Sequence, residues 1–167
     1  DNLFNYGENN SINFEKLNGV VGVFGKNYSG KSSVIDSALY TIYNSISKNN
    51  RKNLNIINQN KQAGCGRVEI DIDGKAYIIE RKSEKYKKKL HGEETDEAKT
   101  DVEFSMIDPA TGEETSLNSL DRNGTDKEIR KIFGTIDDFL LTSMSSQMGA
   151  MTFINEGSTK RKEILAK

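Results

Sequence analysis

Gly25-Lys26-Asn27-Tyr28-Ser29-Gly30-Lys31-Ser32 fits the pattern G-x-x-x-x-G-K-S/T, in which a glycine-bearing turn folds its backbone amides around a phosphate. The flanks agree with that reading. Upstream, residues 19–24 (GVVGVF) are apolar and mostly β-branched between glycines, which predicts a short buried strand. Downstream, residues 33–46 (SVIDSALYTIYNSI) predict a helix. Val34, Ala38, Ile42 and Ile46 recur every four residues along one face, and Leu39 and Tyr43 widen the stripe.

Strand, loop and helix in that order are what phosphate chemistry requires. The loop turns its N–H groups inward as an anion nest. The helix N-terminus adds partial positive charge and open donors. Lys31 is placed for the β- and γ-phosphates of a nucleotide, and the Ser32 hydroxyl for Mg²⁺. Gly30 allows close approach of backbone to phosphate. The plain alternative is a chance match, since glycine supplies 14 of 167 residues; the flanking pattern weighs against it.

Composition bounds the rest. The length suits one domain or part of one. Hydrophobic residues make up 34% and charged residues 29%, as in an α/β protein with a modest core and a highly charged surface. A net charge of −1 gives no global field to attract nucleic acid, so any such contact needs a local patch. No apolar run approaches the ~20 residues that span a bilayer, and no signal-peptide pattern opens the chain. Cys65 is the one cysteine, which excludes an internal disulfide and points to a reducing cytoplasm.

Along the chain, residues 3–7 (LFNYG) and 11–14 (SINF) predict two strand pieces, with a preceding strand expected before them. Residues 47–66 are polar, with an apolar island at Leu54, Ile56 and Ile57. Residues 67–82 predict a hairpin: Val68, Ile70 and Ile72 alternate with acids, and Asp73-Gly74 is a type I′ turn signal. That turn argues against a Walker B strand at residues 68–71. Residues 83–100, basic first and then acidic, predict a solvated loop; a DNA-backbone patch of Lys85, Lys87, Lys88 and Lys89 is the alternative. His91 has no metal-ligand partner nearby and reads as a surface residue. Residues 102–107 predict a strand and 108–112 a turn. Thr125-Asp126-Lys127-Glu128 predicts a capping box opening a helix to Phe133, with Gly134 as its stop. A short helix over 136–141 and the start of a longer one at 158–165 follow.

Taken in order, these pieces resemble the ATP-binding head of the SMC-like DNA repair ATPases, of the SbcC type and the large subunit of phage recombination endonucleases. Asn2-Leu3-Phe4-Asn5-Tyr6-Gly7 is similar to that family's opening N-F-x-S-F/Y-G. Residues 24–38 are similar to its G-x-N-G-A/S-G-K-S-S-I/V-x-D/E-A, and residues 69–81 (EIDIDGKAYIIER) to its hairpin. Ser146-Gln147 resembles the Q-loop, and Thr159-Lys160-Arg161-Lys162 the lead into the coiled coil.

The resemblance implies an α/β fold: a P-loop NTPase of ABC-ATPase type, here the N-terminal lobe, with a core strand–P-loop–helix and an antiparallel β subdomain. Residues 1–50 would carry strands, phosphate loop and first helix. Antiparallel strands would occupy 67–107 around the charged loop 83–100, helices and Q-loop 125–157, and the coiled-coil start 158–167. It implies ATP and Mg²⁺ as cofactors. Gly25, Lys26, Asn27, Tyr28, Ser29, Gly30, Lys31, Ser32 and Ser33 would hold the triphosphate, with Ser32 and Gln147 at the metal and Lys31 and Gln147 serving catalysis. Implied partners are the protein's own C-terminal ATPase half, a second head in an ATP-dependent homodimer, a partner nuclease and double-stranded DNA, with no membrane. Two positions depart from the family: Tyr28 stands where glycine is usual, and a positive φ there would strain it; Phe4 replaces a polar or basic residue. No L-S-G-G signature, Asp-Glu-ended strand or switch histidine is present, so the chain reads as a half-head that hydrolyses ATP only with its C-terminal half supplied. The competing readings are a small P-loop kinase or other P-loop NTPase unrelated to DNA repair, and a non-catalytic clamp that uses ATP only for assembly.

Overall fold

Asp73 (φ 53°) and Gly74 (φ 78°) both take left-handed backbone and turn the chain between β1 (Ala63–Ile72) and β2 (Lys75–Leu90), as the Asp-Gly pair predicts. The computed structural model describes residues 1–47, 52–90, 93–144 and 157–165. In it, β1 and β2 continue into β3 (Glu93–Ile107) and β4 (Glu114–Ser116) as one antiparallel sheet in sequence order. The helices are α1 (Lys31–Tyr43), α2 (Arg122–Phe133), α3 (Ile136–Thr142) and α4 (Ser158–Leu165).

The core is written in the register. Val68, Ile79 and Phe104 lie side by side across three strands. They join Leu39, Ile42 and Tyr43 of α1 and Ile129 of α2 in one apolar cluster. Phe133 packs edge-on to Tyr77 and Phe104, with ring centroids 5.8 and 6.2 Å away. Two strand positions further along, Gly66 faces α1. A Cβ there would collide with Thr41 Oγ1, so glycine is what lets the helix settle onto β1.

Arg81 occupies the next row, opposite Gly66 and Val102, and is 0% exposed. Its Nε donates to Thr41 O (2.9 Å) and its Nη2 to Ile42 O (3.3 Å), at the C-terminal end of α1. Nη2 also pairs with Asp126 Oδ1 of α2 at 2.6 Å. One guanidinium thus ties helix, sheet and second helix together, and its charge favours the negative end of α1. Beyond it lies a polar chain: Tyr40 Oη, Ser83 Oγ and Thr100 Oγ1 bond in sequence, and Asn53 Nδ2 donates to Thr100 Oγ1 (2.7 Å).

A second apolar cluster joins Leu3, Phe4, Tyr40, Ile46 and Ile56. It stitches the start of the chain to Ile56 of the apolar island. Leu3 bridges Ile57, Phe4 N donates to Ile56 O (2.7 Å), and Cys65 N to Asp1 O (2.9 Å).

Several sequence expectations are corrected. Residues 3–7 and 11–14 are not strands. The first makes the single Leu3–Ile57 bridge and then turns, with Phe4 at φ 53°. The second runs into a 3₁₀ turn at Phe14–Lys16 capped by Asn13. Residues 19–24 are also not a strand. They find no ladder partner among the described residues, because β1 to β4 pair with one another, and Phe24 is 93% exposed. Apolar, β-branched residues favour a strand only where another strand and a covering layer exist. The first helix spans Lys31–Tyr43, ending at Asn44 in left-handed conformation, so Ile46 lies beyond it.

The predicted loop at 83–100 is instead the outer half of the β2–β3 ribbon. Antiparallel pairing sets the basic run against the acidic one: Lys87 opposes Asp96 and Lys89 opposes Glu94. Residues 91–92, including His91, lie outside the described residues. α2 begins at Arg122, capped by Asp121 Oδ1 accepting from Gly124 N (2.6 Å). Thr125 is buried inside the helix, its hydroxyl donating to Asp121 O. The expected Gly134 stop is present, its N–H bonding Arg130 O. The turn at 108–112 is present as well, with Gly112 N bonding Asp108 O. α3 starts with a full capping box between Thr135 and Asp138.

Two outcomes follow for stability. Arg81→Met strands Asp126 and two helix carbonyls and costs about 3–5 kcal/mol in urea unfolding; the Arg81→Met/Asp126→Leu double variant recovers part of that loss. Burial, the largest influence on the Tyr40 phenol, raises it above its ordinary value of 10.0. The unfolded chain therefore ionises first, and stability that is intact below about pH 10 falls as pH rises further. Tyr40→Phe, followed by denaturant titration across that range, shows a shallower alkaline decline than wild type.

Candidate functional site

The loop at residues 25–33 is built by two left-handed residues. Tyr28 has φ 64° and Gly30 φ 90°. Ser29 N donates to Lys26 O (3.3 Å) to close the turn, and Ser33 N to Gly30 O (2.9 Å) to open α1. A Cβ at Gly25 would stand 2.8 Å from Ser29 Oγ, so that hydroxyl would have to rotate away. The strain expected at Tyr28 is present. Left-handed backbone costs an ordinary residue ~1–2 kcal/mol, and its side chain, 96% exposed, does nothing to offset it.

The electrostatics are those of an anion cradle. Gly30 caps α1 without a side chain, and no acid stands in the first turn. The helix therefore presents amides and partial positive charge with no internal anion to satisfy them. Lys31 Nζ lies across the loop, donating to Gly25 O (2.9 Å) and Lys26 O (2.7 Å). Both acceptors are neutral carbonyls, so the ammonium charge carries no carboxylate there. The Ser32 side chain is on the exposed first turn. Asp36, one turn further on, is spent elsewhere: its Oδ1 accepts from Ser47 N (3.0 Å) and Ser47 Oγ (2.6 Å).

Two contacts to the loop were not legible in the sequence. Asn5 Nδ2 donates to Tyr28 O (3.0 Å) and Tyr6 Oη to Gly30 O (2.9 Å). Both donors belong to the opening segment, more than 20 residues upstream, and only the folding of that segment against 56–58 brings them there.

The loop is an open surface rather than a cavity. A shallow cleft of about 290 Å³ lies between β3 and α2, lined by Phe104, Leu117, Asn118, Ser119, Glu128 and Ile132, and shares no residue with the loop. Ser32 can offer one oxygen to a metal. Among the described residues no three His, Cys, Asp or Glu side chains come together as a metal site. Ser146 and Gln147 lie outside the described residues.

The lysine patch does not behave as a free cationic surface. Lys87 and Lys89 reach Glu94 (3.3 and 3.5 Å), Lys88 reaches Glu97 (3.2 Å), and Lys85 donates to Asn58 O and Gln59 O. Asp71, the acid in the false Walker B pattern, accepts from Gly74 N in the hairpin turn (3.0 Å).

Known proteins are similar to this chain in sequence. The profile of the family described as AAA domain matches residues 1–166. An uncharacterised protein of Acanthamoeba polyphaga mimivirus is 32% identical over 98% of this chain and 12% of its own length. The SbcC subunit of nuclease SbcCD from Clostridium acetobutylicum is 28% identical over 92% of this chain and 13% of its own. The DNA double-strand break repair Rad50 ATPase of Sulfolobus acidocaldarius is 31% identical over 44% of this chain and 8% of its own. The chain therefore spans only a small fraction of the relatives it matches. The profile match over residues 1–166 and the similarity to these two proteins show the family: the chain belongs to the AAA domain family, as an N-terminal ATPase region of the SMC-like SbcC and Rad50 type.

Proposed function

We propose that this region is the ATP-binding half-head of an SMC-like DNA double-strand-break repair ATPase of ABC type. The observation that carries the reading is Lys31, whose ammonium spans the mouth of an uncapped helix N-terminus with only backbone carbonyls as partners. A triphosphate matches that charge and those donors. Residues Gly25, Lys26, Asn27, Tyr28, Ser29 and Gly30 would wrap it with backbone, and Lys31, Ser32 and Ser33 would close on it from the helix. Bound Mg²⁺ would supply charge neutralisation, with Ser32 and Gln147 as its protein ligands. Similarity to the SbcC subunit of nuclease SbcCD and to a Rad50 ATPase favours this reading over a small kinase.

The half-head is incomplete by the same reasoning. Val20, Val21, Val23 and Phe24 are exposed beside the loop, an apolar segment whose backbone groups find no partner among the described residues. The protein's own C-terminal half, supplying a paired strand and the water-activating acid, is the partner that suits it. ATP would then join two heads and gate double-stranded DNA for a partner nuclease.

Lys31→Ala in the full-length protein weakens ATP binding about 10- to 100-fold and removes ATP-dependent dimerisation, read by nucleotide titration and light scattering with and without Mg²⁺. Unchanged ATP affinity would reject the site. Hydrogen exchange checks the partner: the amides of residues 20–24 exchange slowly in the full-length protein and rapidly in this region alone.

A further inference from the structure

We propose that Asn5 and Tyr6 form a clasp that holds the phosphate loop in its ligand-ready conformation, making them positioning residues for nucleotide binding; the proposal rests on the reading of residues 25–33 as the triphosphate site. The loop has little else to fix it. Among the described residues, the only hydrogen bonds to loop residues 25–30 from outside the loop and α1 are these two: Asn5 Nδ2 to Tyr28 O and Tyr6 Oη to Gly30 O. They fall on the two left-handed residues of the turn, at φ 64° and 90°. These are the positions where backbone most readily reverts to another conformation.

The clasp acts through peptide planes. In a trans peptide the C=O and the following N–H point in opposite directions. Holding Gly30 C=O outward against Tyr6 therefore directs Lys31 N–H the other way, toward the side where an anion sits. Holding Tyr28 C=O against Asn5 keeps Ser29 N–H turned back onto Lys26 O, which preserves the tight turn. Without Asn5, a tyrosine in left-handed backbone has no compensation for its strain.

The clasp itself is fixed from behind. Leu3 and Phe4, immediately before it, are buried with Tyr40, Ile46 and Ile56. Tyr6 N bonds Leu3 O (2.9 Å), and Tyr6 O accepts from Asn58 Nδ2 (3.1 Å). The opening segment is thus a rigid bracket from the core to an otherwise open loop. Glycine at position 28 would adopt the left-handed turn unaided, so the need for Asn5 comes from the tyrosine.

The test compares ATP affinity of the full-length wild type, Asn5→Ala, Tyr6→Phe, Asn5→Ala/Tyr28→Gly and Lys31→Ala, by displacement of a fluorescent ATP analogue. Nucleotide-free melting temperatures serve as the folding control. Asn5→Ala and Tyr6→Phe each weaken ATP binding about three- to tenfold while the melting temperature stays within about 2 °C. Tyr28→Gly recovers most of the Asn5→Ala loss, a rescue that a merely structural Asn5 would not show. Wild-type affinity in both single variants, beside a loss in Lys31→Ala, overturns the clasp and leaves the site standing. Failure of Tyr28→Gly to rescue Asn5→Ala overturns it too. Wild-type affinity in Lys31→Ala overturns the site and the clasp together.

Discussion

A buried guanidinium holds this region together. Arg81 projects from the middle of β2 into a space with no solvent and meets the last carbonyls of α1 on one side and Asp126 of α2 on the other. Taking a charge out of water is costly, and only several well-aimed acceptors offset it. That demand fixes where α1 ends, where α2 passes and which row of the sheet lies between them. The candidate site depends on it indirectly, because the loop of residues 25–30 leads into the opposite end of the same helix. A helix pinned at its C-terminus by Arg81 and at its flank by Leu39 and Ile42 presents its first turn in one place.

What could be read from the residues, and what could not, follows from which forces are local. The hairpin was legible because strand alternation and the Asp73-Gly74 turn are encoded within a few residues. The Gly134 stop and the start of α3 were legible for the same reason. Residues 83–100 were not, because the buried residues at the base of this ribbon, Ser83 and Thr100, are polar, and its outer part, exposed on both faces, shows no apolar alternation. Its signal is that a lysine run and an acidic run become partners only when folded back, as Lys87 on Asp96. The start of α2 was displaced because Asn123 and Gly124 are poor helix formers that hide its first turn, while Thr125 mimics a cap it does not serve.

The loop of residues 25–32 was the part of the candidate site most visible in the sequence, since its glycines and its lysine are all within eight residues. Its context was only half legible. A helix formed where one was read, though it starts at Lys31 and stops at Tyr43 short of Ile46, and the upstream segment carries a strand's composition without a strand's partner among the described residues. The Asn5 and Tyr6 contacts were invisible, since they depend on how an early turn packs against residues 56–58. Gln147 belongs to a stretch outside the described residues, so its place beside the loop stays with the proposal.

The outer ribbon also constrains how this gene can change length. Its two arms match residue for residue from Ala76 with Ile107 out to Leu90 with Glu93. An unpaired deletion or insertion in one arm would shift the remaining residues by one and exchange inward for outward side chains. Between the Asp73-Gly74 turn and Arg81, such a change would turn Arg81 and Ser83 out of the interior. Balanced losses, one codon from each arm beyond Lys85, leave the base untouched. Homologous genes should accordingly vary this projection in matched steps, so that its reach can evolve while α1 keeps its seat.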